Sequence, residues 1–120
     1  MIIELLGGFV AGLKVTDSLK KTKIVRDAYE LAKQSRFNDA LNLMGEINVS
    51  PEDKKAVTVV AYYLKACCYI ELEEKGAALH CINVLKEMKL SKPSWIAPSY
   101  NKALKEVKPE IEKLINDYDL

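Results

Sequence analysis

The sequence has few of the features that mark several common classes of protein. It contains only 5 glycines and 4 prolines among 120 residues, and 49% of its residues are hydrophobic, which argues against a disordered chain. No apolar run approaches the roughly 20 residues that a transmembrane helix needs. Its 18 basic residues are balanced by 17 acidic ones, so the charge excess typical of nucleic-acid-binding proteins is missing. We therefore expect one soluble globular domain, residues 1–120, without a nucleic-acid partner.

Cysteine is scarce as well, and its three copies are Cys67, Cys68 and Cys81. An odd number without framework spacing favours a reducing compartment, so we expect a cytoplasmic protein. With His80 these residues are possible metal ligands, but helical geometry directs Cys67 and His80 away from a shared point. Buried cysteine behaves as a small hydrophobe, and the sequence predicts neither a metal site nor a cofactor.

The N-terminal segment, residues 1–15, is apolar from Ile2 to Leu13 except for Glu4. It is too short to span a bilayer, and it lacks the basic start of a secretory signal. We expect an ordered helix packed on the rest of the chain, and peripheral membrane contact is the alternative. The glycines nearby do not have the spacing of a phosphate-binding loop.

Helical periodicity follows, with no alternating pattern long enough for a sheet, and it predicts an all-α fold. The prediction comprises a first hairpin at 17–48, a second at 51–89 and a C-terminal capping helix at 94–120. Ser50 and Pro51 are typical of a helix start. The helix that follows, to about Leu72, is apolar on nearly all sides, so it should lie at the centre of the fold. Pro109 should kink or restart the last helix.

The two hairpins look like copies of one unit. Leu31 to Leu41 align with Tyr69 to Leu79 at an offset of 38 residues, and both stretches resemble tetratricopeptide repeats, whose period is about 34. The resemblance covers roughly residues 20–90 and puts Tyr62, Ala66 and Tyr69 at the family's Trp, Gly and Tyr positions. It implies antiparallel helix hairpins stacked side by side. Asp27 and Lys65 depart from it, because the family usually has Leu there.

In this family the first helix of each hairpin lines a concave groove that holds a partner. The resemblance thus implies a partner-binding face made by Val25, Tyr29, Val60, Tyr63, Cys67 and Ile70. Such an apolar, tyrosine-bearing face suits an amphipathic helix or an apolar extended peptide. The other interpretation is that this face is core, covered by another part of the chain, for which residues 2 to 13 are the obvious candidate.

The function that follows is non-enzymatic: an adaptor or interaction module for a protein or peptide partner. No combination of residues predicts a catalytic site, because His80 has no partner at a motif spacing. The alternative is a structural oligomer or a peripheral membrane protein that uses the apolar N-terminal segment for contact.

Overall fold

The computed structural model describes residues 19–45, 56–90 and 98–118, and this part of the chain is helical with short turns and no strand. The all-α prediction is confirmed. Five helices follow one another along the described sequence: α1 (Leu19–Lys33), α2 (Phe37–Met44), α3 (Ala56–Glu71), α4 (Lys75–Leu90) and α5 (Pro98–Asp117).

The turns from α1 to α2 and from α3 to α4 have the same geometry, 38 residues apart. The backbone N–H groups of Ser35 and Arg36 donate to the carbonyls of Ala32 and Leu31, each at 3.0 Å. In the second turn the corresponding bonds run from Glu73 to Ile70 and from Glu74 to Tyr69, at 3.0 and 2.8 Å. This pair of bonds is the Schellman motif, which ends a helix on a left-handed residue. Those residues are Ser35 and Glu73, with φ of 63° and 60°.

Helix α3 is the centre of the described structure, as its sequence predicts. It contacts each of the other four helices, and nearly every residue from Val57 to Ile70 is buried. Its closest association is with α4, while α1 associates most with α2. The helices therefore pack as two sequential pairs, α1 with α2 and α3 with α4, and α3 also contacts both helices of the first pair.

Helix α5 narrows one prediction. Pro109 lies inside the helix, so of the two predicted outcomes the restart does not occur, and the kink stays a prediction. Proline removes the N–H that would bond to the carbonyl of Lys105. Both residues are exposed, so water can satisfy that carbonyl and the helix continues. The buried side of α5 consists of Ile111 and Leu114.

The sequence also predicts a turn made by Glu73, Glu74, Lys75 and Gly76, but α4 begins at Lys75, so this turn is shorter than predicted. Two further predictions from the sequence, a helix cap at Thr16 or Asp17 and a turn around Trp95, lie outside the described residues. The N-terminal segment 1–15 and the helix start at Ser50 and Pro51 lie outside them as well.

Candidate partner-binding face

All six residues of the predicted partner-binding face are buried in this structure. Each is at most 8% exposed, so none is available on the surface for a partner in this conformation. Of the two interpretations of this face, open groove or covered core, the structure has the covered one. The six residues are Val25, Tyr29, Val60, Tyr63, Cys67 and Ile70.

Helix α5 covers the α3 part of this face. Burial raises the pKa of Tyr63, and the nearby Cys67 and Glu110 raise it further. Burial likewise raises the pKa of Cys67 well above its ordinary value, with a smaller effect from Glu110. Glu110 belongs to α5, and this helix packs extensively against α3, the helix that carries Tyr63 and Cys67.

The end of α5 lies near the end of α3, because Tyr118 lines a cavity together with Ile70 and Glu71. The pKa of Tyr118 is raised by burial and then by Glu71, Asp117 and Cys67.

The α1 part of the face is formed by Val25 and Tyr29, and α1 contacts α3 directly. The Lys33 ammonium lies 4.9 Å from the centroid of the Tyr29 ring. The same ammonium is 3.1 Å from a Glu30 carboxylate oxygen. At this end of the face the Lys33 ammonium therefore lies over the Tyr29 ring and also forms an ion pair with Glu30.

Tyr62 and Tyr69 are partly buried and pack against the core. Burial raises the pKa of both tyrosines, and Cys81 on α4 raises both further. Ala66, which lies between them in the sequence, is fully buried. Lys65, a departure from the family pattern, lies with its ammonium 5.2 Å from the centroid of the Tyr62 ring.

The three cysteines belong to the core. All are free and buried, and burial raises the pKa of each, that of Cys68 to about 12. They remain protonated near neutral pH and are poor nucleophiles in that form. His80 is exposed. Within the described ranges no three histidine, cysteine or acidic residues are grouped as metal ligands.

A cavity of about 540 Å³ lies where the end of α5 meets the turn between α3 and α4. Sequence reasoning did not single it out, since it depends on how α5 docks. Tyr118 forms one wall and is 37% exposed. Its other lining residues are Ile70, Glu71, Glu73 and Lys75.

Of the helices in the described ranges, none combines the length and hydrophobicity needed to cross a bilayer.

Comparison of the chain with protein-family models, with curated proteins and with solved structures gives no significant match.

Proposed function

We propose that this chain is a non-enzymatic protein-interaction module built from two helix pairs of the tetratricopeptide-like kind. The repeated turn geometry supports this proposal, because two Schellman turns recur at the offset at which the sequences align. Burial recurs with them: Ala28 and Ala66 are both fully buried, as are Met44 and Ile82. A shared pattern of turns and small buried residues is typical of a repeated packing unit.

The partner in this proposal is an amphipathic helix or an apolar peptide, and it binds the face formed by α1 and α3. The observation that carries the proposal is the packing of α5 against α3, the helix whose Tyr63 and Cys67 are buried. A surface that accommodates one helix has the shape required for helix-in-groove recognition. Buried aromatic and aliphatic side chains would then supply most of the affinity. The free, buried cysteines favour a reducing compartment, and we assign the protein to the cytoplasm.

A selection from a displayed library of helical peptides tests this function on the full chain. We expect the enriched peptides to share apolar residues at helical spacing. We also expect them to bind at least fivefold more weakly to the Val60→Ala and Ile70→Ala variants. Leu79→Ala is the matched control, because Leu79 is an apolar side chain that is 39% exposed on α4, outside the face. Circular dichroism verifies that each variant keeps its helices.

Failure to enrich any helical peptide would contradict the proposal. So would peptides whose affinity falls for the Leu79 variant and not for the variants of the face.

A further inference from the structure

Helix α5 presents an ordered set of side chains to the surface that it covers. Ile111 and Leu114 are buried, and Tyr118, directly after the last residue of α5, borders a cavity with Ile70 and Glu71. Their spacing is i, i+3 and i+7, which places them on one side of a helix. The opposite side carries exposed residues such as Lys113 and Asn116. This is the anchor pattern with which amphipathic helices bind grooves.

We propose that α5 is an internal substitute for the partner, and that the partner is a helix with two aliphatic anchors and one aromatic anchor at this spacing. The partner displaces α5 and takes its place along Tyr63, Cys67 and Ile70. This inference rests on the proposed function, and it adds the chemistry of the partner and the device that keeps the face covered.

The contacts of α5 make it separable from the rest of the described structure. It contacts α3 more extensively than α4. Helix α3, by contrast, also contacts α1, α2 and α4, and these contacts remain when α5 leaves. Pro109 gives α5 one fewer backbone hydrogen bond than an uninterrupted helix of its length. Displacement therefore removes the covering helix without removing the packing that holds the face together.

The cavity at the end of α5 defines the aromatic anchor. Tyr118 forms one wall and leaves about 540 Å³ open beside Ile70 and the turn between α3 and α4. Tyr118 therefore does not fill its site, and a larger ring can occupy more of this space. A partner with tryptophan at this position should consequently bind more tightly than α5 itself. The carboxylates of Glu71 and Glu73 and the ammonium of Lys75 border this space, so it also accepts the indole N–H.

The test uses a fluorescein-labelled synthetic peptide with the sequence of residues 98–118 and three forms of the full chain. In the Leu114→Asp chain a carboxylate replaces a side chain that is buried against the body of the protein, so α5 detaches and the face is free. We expect this chain to bind the peptide at least tenfold more tightly than the wild-type chain. Lys113→Asp is the matched control, because it introduces the same group at the exposed neighbouring position and should behave as wild type. Equal affinity of all three chains would overturn the inference.

Variants of the peptide test the three anchors against the Leu114→Asp chain. The peptide with Leu114→Asp should show no measurable binding, and the peptide with Tyr118→Ala should bind about tenfold more weakly. The peptide with Tyr118→Trp should bind severalfold more tightly. Equal affinity of the peptides with tyrosine, alanine and tryptophan at position 118 would show that no aromatic anchor is needed. It would overturn the proposed chemistry of the partner.

Hydrogen exchange on the unaltered chain provides a second measurement if the Leu114→Asp chain fails to fold. We expect the backbone amides of 105–117 to exchange at least tenfold faster than those of 60–70, through an opening that leaves α3 protected. Identical exchange of the two helices through one global opening would contradict a displaceable α5. If the Leu114→Asp chain binds wild-type chains in preference to the free peptide, the occupant of the face is a second copy of this chain. That result would overturn the proposal of a foreign partner.

These outcomes separate the inference from the function on which it rests. If displayed helices bind while Leu114→Asp leaves their affinity unchanged, the interaction module stands and the covering role of α5 fails. If the Leu114→Asp chain binds the 98–118 peptide and no displayed peptide is enriched, α5 is an internal clamp and the interaction module fails.

Discussion

The two helix pairs share one turn geometry, yet their first helices differ in what surrounds them. Three positions that are exposed and charged on α1 are buried on α3 at the same place in the repeat, 38 residues later. The pairs are Lys23 with Ala61, Arg26 with Leu64, and Glu30 with Cys68. The backbone pattern of each unit is set locally by its turn. Burial depends on position, because α3 contacts four helices whereas the main contacts of α1 in the described ranges are with α2 and α3.

Substitutions at one pair of equivalent positions, Ala61 and Lys23, should show the difference in burial between the two units with the largest effect on stability. Ala61→Lys puts a charged side chain at a fully buried position of α3, and we expect it to lower the free energy of unfolding by about 3 kcal/mol or more. Lys23→Ala removes the same side chain from the exposed equivalent position on α1 and should change stability by roughly 0.5 kcal/mol or less. Urea unfolding followed by circular dichroism at 222 nm measures both. Equal effects of the two substitutions would show that the units have the same surroundings.

Alkaline pH should destabilise the second unit through its thiols. Burial raises the pKa of Cys68 from an ordinary value of 9.0 to about 12. Below the ordinary value both the folded and unfolded chains hold the proton, so stability does not depend on this group. Between the two values the unfolded chain releases the proton and the folded chain keeps it. The free energy of unfolding should therefore fall as pH rises above about 9, by up to about 1.4 kcal/mol per pH unit for one such thiol.

Urea midpoints measured between pH 7.5 and 10.5 test this expectation. Cys68→Ala should flatten the decline, since alanine has no proton to release. The equivalent position in the first unit is Glu30, so Glu30→Ala is the control and should leave the slope in place. A midpoint that stays constant in the wild-type chain up to pH 10.5 would mean that the thiol is not protected from ionisation.

Much of the helical fold could be predicted from local patterns. The apolar character of α3 on nearly all sides predicted its central position, and the alignment of Leu31 with Tyr69 predicted the repeat interval that the turns display. Each of these features is set by residues within one helix or one turn, so the local sequence is enough to predict it. The local sequence left open whether the last helix continues through Pro109 or restarts there, because continuation depends on whether water reaches the unbonded carbonyl, and exposure is a tertiary property.

The residues of the candidate site could be predicted from the sequence, but whether they are exposed or covered could not. Periodicity placed Tyr63 and Cys67 on one side of α3, but it contains no information on which distant segment covers them. The segment 2 to 13 was the expected cover, and α5 is the covering helix among the described residues. The cavity beside Tyr118 depends on the same docking.

The shared turns offer the finest test of the comparison. Ser35 and Glu73 both adopt a positive φ, which costs a residue with a Cβ roughly 1 kcal/mol and costs glycine little. Glycine at either position should therefore stabilise the chain, in contrast to its usual effect. Glu73→Gly should gain about 1 kcal/mol and Ser35→Gly somewhat less, because the substitution of Glu73 also removes a carboxylate from the negative end of the α3 dipole.

Two further substitutions separate these causes. Glu73→Gln removes the charge and keeps the Cβ, so it should give only a few tenths of a kcal/mol. Glu74→Gly is the matched control, since Glu74 is the exposed next residue in the same turn and is not among the described residues with positive φ; glycine there should be neutral or slightly destabilising. Thermal unfolding resolves the expected order of Glu73→Gly, Ser35→Gly, Glu73→Gln and Glu74→Gly. If glycine lowers the stability at both Ser35 and Glu73, the positive φ of these residues does not strain the chain. The two turns would then share a hydrogen-bond pattern that carries no backbone strain.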